Sequence, residues 1–121
     1  SRTNNDWLTS DTNSVDDYTN DPLCGFKVTN GLWKDLSYGL LRIFKKNYYS
    51  KNNKNIPILL MTGEWDQATQ NSKLSSYLYN FLSSIFNNVT YKVIKNARHE
   101  IFSELNKNYS YNILLLFLCN K

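Results

Sequence analysis

Ile56-Pro57-Ile58-Leu59-Leu60-Met61-Thr62-Gly63-Glu64-Trp65-Asp66 is the stretch on which the fold turns. A strand with one face in water alternates apolar and polar side chains. From Ile56 to Met61 every position is apolar, which suits a strand covered on both faces, as in a parallel sheet. Pro57 stands at the start of the run, where a missing N–H costs no interior ladder bond. Gly63 to Gln67 then breaks the run. Downstream, Leu74, Tyr77, Leu78, Phe81, Leu82 and Ile85 recur at three- and four-residue spacing, a helical stripe over Ser72–Phe86 that Asn87-Asn88 closes. Val89-Thr90-Tyr91-Lys92-Val93-Ile94 alternates and is rich in β-branched residues, so it predicts a second strand. Strand, helix, strand is a βαβ unit of an α/β protein. Two such strands do not make a self-sufficient sheet, because both outer edges keep unpaired backbone groups. The expectation is part of a larger domain, or a chain that assembles with something else.

Outward from this unit, a last helix is expected from about Tyr109 to Leu118. Upstream, the Asn- and Lys-rich segment Asn47–Asn55 lacks apolar periodicity and predicts a loop. Before it, Leu32, Trp33, Leu36, Leu40, Ile43 and Phe44 trace one face of a helix that Thr29 or Asn30 can cap. Asp21-Pro22-Leu23-Cys24-Gly25-Phe26 is a turn-like break, and Ser10 or Asp11 can cap a short helix containing Val15 and Tyr18.

Composition narrows the function classes. The formal charge of +4 arises from basic residues scattered along the chain, not from the stripe that a nucleic-acid footprint requires, so no nucleic-acid partner is expected. Two cysteines, Cys24 and Cys119, and a single histidine fall short of a zinc site, so no metal and no cofactor are expected. The longest apolar run, Ile113–Cys119, is far below the roughly 20 residues that span a bilayer. No leader pattern opens the chain, and a cytoplasmic location is the expectation, although the first residue is Ser and the gene product can begin further upstream.

In a parallel sheet, catalytic groups gather where the strands end. The loop after the first strand offers Glu64 and Asp66; the loop after the second offers Arg98, His99 and Glu100. Neighbouring strands lie about 5 Å apart, so an acid on one loop can reach a histidine on the next. A carboxylate bonded to one imidazole nitrogen fixes the tautomer and frees the other nitrogen to take a proton from a hydroxyl. A lone histidine is more often structural. An acid followed by a histidine, each just past a strand, reverses that preference.

Residues 56–66 resemble the acid-strand motif of serine α/β-hydrolases of the lysophospholipase and monoacylglycerol-lipase kind, a group that includes serine aminopeptidase-type hydrolases. Asn96-Ala97-Arg98-His99-Glu100 resembles their histidine loop, and Asp21–Phe26 resembles part of their cap or lid. The resemblance runs over essentially the whole chain. It implies that Asp66 is the triad acid and His99 the general base, with Glu64 bracing the turn and Arg98 and Glu100 supporting the histidine loop. It also implies a cap-derived helical segment over residues 1–50 and the C-terminal βαβα part of the hydrolase core over 51–121. Two positions depart from the family pattern: Asn96 stands where Gly is common, and Gln67 where Pro is frequent.

No Gly-x-Ser-x-Gly elbow occurs in these 121 residues. The expectation is therefore a partial serine hydrolase whose nucleophile and oxyanion hole lie in an N-terminal half, and which alone is inactive. Leu23, Phe26 and Trp33 form an apolar neighbourhood that suits a lipid-like ester substrate, or else simple core packing. Two other readings stay open: a non-catalytic interaction module, and a parent that cleaves peptides.

Overall fold

The computed structural model describes residues 1–119. Its elements run α1 (Thr12–Asn20), α2 (Asn30–Ile43), β1 (Pro57–Gly63), α3 (Lys73–Ser83), β2 (Asn88–Ile94) and α4 (Lys107–Cys119), with single 3-10 turns at Lys46–Tyr49 and Gln67–Thr69. β1 and β2 pair in parallel, in register from Pro57 opposite Asn88 to Gly63 opposite Ile94. The sheet has two strands and is incomplete, as the sequence leads one to expect.

Each helix starts where side-chain chemistry permits. Asp11, not Ser10, caps α1 by accepting from the Asn13 N–H, and Thr29 caps α2 by accepting from the Leu32 N–H. α3 ends three residues before the apolar stripe does. The Asn87 N–H bonds the Lys54 carbonyl at 2.8 Å, which draws the chain out of the helix and aligns it with the start of β1. α4 begins two residues before the expected start at Tyr109, in the polar turn after Glu104.

Successive strand residues point to opposite faces, and the two helices divide them. On one face Thr62 contacts Ser75 through their hydroxyls, the Tyr91 hydroxyl donates to the Ser72 carbonyl, and the Tyr79 and Tyr91 rings stack at 5.5 Å, all fixing α3 there. On the other face Met61 and Ile94 pack with Ala97, Ile101, Phe102 and the α4 residue Ile113. This second cluster is the core, and it sits at the C-terminal ends of the strands. The middle of β1 is only half-buried, so the two-sided covering its sequence calls for is incomplete.

α2 behaves differently. Its C-terminal end is held by Phe44 and by Tyr49 just beyond it, whose rings meet Phe81, and Tyr49 also meets Phe86. None of its residues is buried, and Leu32, Trp33, Leu36, Leu40, Ile43 and Phe44 all remain about half exposed. Cys24 and Cys119 are both free thiols.

Candidate active site

β1 and β2 both end in tight turns that touch through their backbones. The Glu64 N–H donates to the Ile94 carbonyl at 2.9 Å and the Trp65 N–H to the Ala97 carbonyl at 2.8 Å. A Cβ on Gly63 would lie 1.8 Å from the Arg98 carbonyl oxygen and 2.5 Å from that of Ala97, so only glycine allows the loops to approach this closely. Asn96 takes the left-handed conformation, φ 57°, which lets β2 turn sharply, and its N–H is received by the Glu64 carboxylate at 3.0 Å. Glu64 is thus engaged with the turn of the histidine loop.

Asp66 is 3% exposed although it is an acid, because each of its oxygens is occupied. Oδ1 accepts from the Ala68 N–H at 2.9 Å and Oδ2 from the Thr69 hydroxyl at 3.0 Å. Oδ1 also meets Nδ1 of His99 at 3.0 Å. An ionised carboxylate can only accept, so with Asp66 ionised Nδ1 carries the proton, and in the neutral imidazole Nε2 keeps its lone pair. The imidazole is 41% exposed against 5% for the Asp66 side chain, an oriented base open to solvent backed by a buried acid. The ring of Trp7 lies 5.0 Å from the imidazole at a 45° tilt.

The histidine loop is tied down from the other side by residues 6–10. Arg98 sends its guanidinium to the carbonyls of Asp6 and Thr9 and its backbone N–H to Glu104 at 2.6 Å. The Glu100 N–H donates to the Leu8 carbonyl at 2.7 Å, and the Thr9 hydroxyl to the Ser103 carbonyl at 3.0 Å. Glu104, wholly buried, receives both the N–H and the hydroxyl of Ser10. A polar cleft of about 590 Å³ is walled by chain neighbours of the pair, including Trp7, Trp65, Asp6, Gln67, Asn71 and Arg98, though neither Asp66 nor His99 itself lines it. Asp6 in that wall is an acid held down to about 2, first by the hydroxyl and N–H of Thr3, then by the N–H and charge of Arg2.

The structure therefore brings Asp66 and His99 together. Leu23, Phe26 and Trp33 are 79%, 65% and 57% exposed, and none of them lines that polar cleft. Sequence reasoning missed Trp7, Ser10, Thr69 and Glu104. Glu104 and Ser10 are 94 positions apart with no motif to join them; Thr69, three residues after an acid in a loop, is the one whose spacing carried a signal. No group of three or more potential metal ligands clusters among the described residues, and no helix there is long and apolar enough to cross a membrane.

Comparison with known proteins gives this geometry a family. Among solved structures, the chain is similar to a highly thermostable carboxyl esterase from Bacillus coagulans, crystallised with glycerol, at a TM-score of 0.76 and 27% identity; the match covers 99% of this chain and 39% of the esterase. The chain thus spans about 39% of the length of that structure. No curated protein sequence matches it. The family model described as serine aminopeptidase, S33, matches residues 1–106. With most of its length inside that match, and with a fold shared with the esterase, the chain belongs to the serine aminopeptidase S33 family of α/β-hydrolases.

Proposed function

We propose that this chain carries the acid and the general base of a carboxylic ester hydrolase of the lysophospholipase or monoacylglycerol-lipase kind. The observation that carries the reading is the 3.0 Å contact between Asp66 Oδ1 and His99 Nδ1, with the acid buried and the imidazole open. In the proposed cycle, Nε2 of His99 takes the proton from a serine hydroxyl as it attacks the ester carbonyl. Asp66 stabilises the resulting imidazolium, which returns the proton to the departing alcohol; water then repeats the sequence on the acyl-enzyme. The serine and the oxyanion-hole amides come from the remainder of the hydrolase domain, since these 121 residues hold no nucleophile elbow. By itself the chain is expected to be inactive.

The exposed apolar residues Leu23, Phe26 and Trp33 support a lipid-like ester over a small polar one, as surface that an acyl chain or the rest of a cap can cover. The aminopeptidase description of the matched family keeps peptide substrates as a second reading.

The test uses the complete domain containing this chain. A fluorophosphonate probe should label its serine; His99→Ala should abolish labelling, and Asp66→Asn should lower turnover by about 10³- to 10⁴-fold. Labelling that persists at full rate in His99→Ala rejects the assignment of the base. p-Nitrophenyl esters of rising chain length, set against aminoacyl anilides, decide between ester and peptide cleavage: faster anilide turnover would reject the lipase reading.

A further inference from the structure

We propose that Glu104 is the positioning residue for His99; the proposal rests on reading His99 as the general base. A carboxylate with no exposed surface is costly to bury unless its partners compensate. Among the described residues Glu104 forms no ion pair: the guanidinium of Arg98 is spent on the carbonyls of Asp6 and Thr9. What Glu104 has instead is donors from two distant segments. Oε2 receives the N–H and hydroxyl of Ser10, and Oε1 receives the N–H of Arg98 at 2.6 Å.

The position of those donors gives the carboxylate its task. Arg98 immediately precedes His99, and on the other side the Glu100 N–H is fixed to the Leu8 carbonyl at 2.7 Å. His99 is therefore bracketed by two bonded backbone N–H groups, that of Glu100 held directly by Leu8 and that of Arg98 held through Glu104, which in turn holds Ser10. The same segment carries Trp7, whose ring rests against the imidazole at 5.0 Å. Glu104 hydrogen-bonds neither Asp66 nor the imidazole, yet it joins the loop that carries the base to the segment that packs on it. The carboxyl group offers an acceptor oxygen to the backbone N–H on each side; a glutamine must turn its NH₂ toward one side and leave that N–H unpaired.

His99 is the sole histidine among the 121 residues, so a long-range ¹H–¹⁵N spectrum of the histidine-labelled full chain contains one imidazole. In the unmodified chain it should show the Nδ1–H tautomer with a protected Nδ1 proton. In Glu104→Gln the tautomer should move toward Nε2–H and the Nδ1 proton should exchange about tenfold faster, read only from the folded population. An unchanged tautomer and exchange rate in folded Glu104→Gln would overturn the proposal, since a merely structural glutamate would lower stability without altering the imidazole of folded molecules. Should Glu104→Gln not fold, Ser10→Ala deletes one of the carboxylate's bonds and should shift the imidazole in the same direction by less; no shift there would equally overturn it. Asp66→Asn separates the two assignments. If that variant leaves the imidazole unchanged, the acid–base pair itself is wrong; if it changes the imidazole and the Glu104 and Ser10 variants do not, only the positioning role fails.

Discussion

Gly63 is where the acid loop and the histidine loop touch, and the contact is between backbones. An added methyl would sit 1.8 Å from the Arg98 carbonyl oxygen and 2.8 Å from the Ala97 carbonyl carbon, atoms that cannot swing aside as a side-chain tip can. Gly63→Ala must therefore part the loops and stretch the bonds from Glu64 to Ile94 and from Trp65 to Ala97. We expect a loss of about 3 kcal/mol or more in urea unfolding, and loss of the Nδ1 contact of His99 in the fraction that still folds. A Gly63→Ala chain with unchanged stability would show that the loops stand further apart than this. The sequence already separated a glycine at the end of an apolar strand from the acids behind it. It could not say that this glycine faces residues 97 and 98, because close approach is a property of two segments and each alone reads as an ordinary turn.

At the scale of elements, the segment before α1 is a strap of turns and bends, and its local chemistry has a pH signature. Asp6 accepts from the Thr3 hydroxyl at 2.7 Å, from the Thr3 N–H at 3.0 Å and from the Arg2 N–H, which lowers it from 3.8 to about 2. A depressed carboxyl stabilises the folded form fully above its unfolded value near 3.9 and ceases to do so as pH falls toward the folded value. The turn at Arg2–Asp6 should therefore loosen between about pH 4 and pH 2, seen as faster amide exchange at Thr3, and Asp6→Asn should abolish that dependence. Amide exchange at Thr3 that is flat across this range would remove Asp6 from the strap. What could be read in advance at this scale followed from periodicity. The βαβ unit and the amphipathic α2 have stripes of the right spacing; β1 runs two residues past its apolar run to Gly63, and α3 ends three residues short of its stripe where the bond from Asn87 to Lys54 competes with the helix. The strap was not legible, since residues 1–10 have no periodicity and gain their order from Glu104, Arg98 and Glu100 far along the chain.

For the molecule as a whole, the unfinished surfaces say how the sheet continues. β1 presents apolar side chains to both faces, Ile58 and Leu60 toward α3 and Leu59 and Met61 toward α4, whereas β2 places Thr90 and Lys92 on the α4 face. A strand apolar on both sides belongs inside a sheet, and one with a polar row tolerates an edge. The free edge of β1 is thus the side on which further strands of an α/β-hydrolase domain are expected, and the half-exposed stripe of α2 is apolar surface such a domain can cover. Two strands alone are marginal, so the isolated chain should bind a hydrophobic dye such as ANS strongly. Within a complete domain that binding should fall. Backbone exchange gives the sharper measurement. In the isolated chain the amides of β1 that point toward β2 should be protected while the alternate ones, pointing away, exchange freely; in the complete domain both sets should be protected. If the second set stays unprotected there, or if the protection gained appears on β2 instead, then β1 is the edge and the sheet grows from the other side.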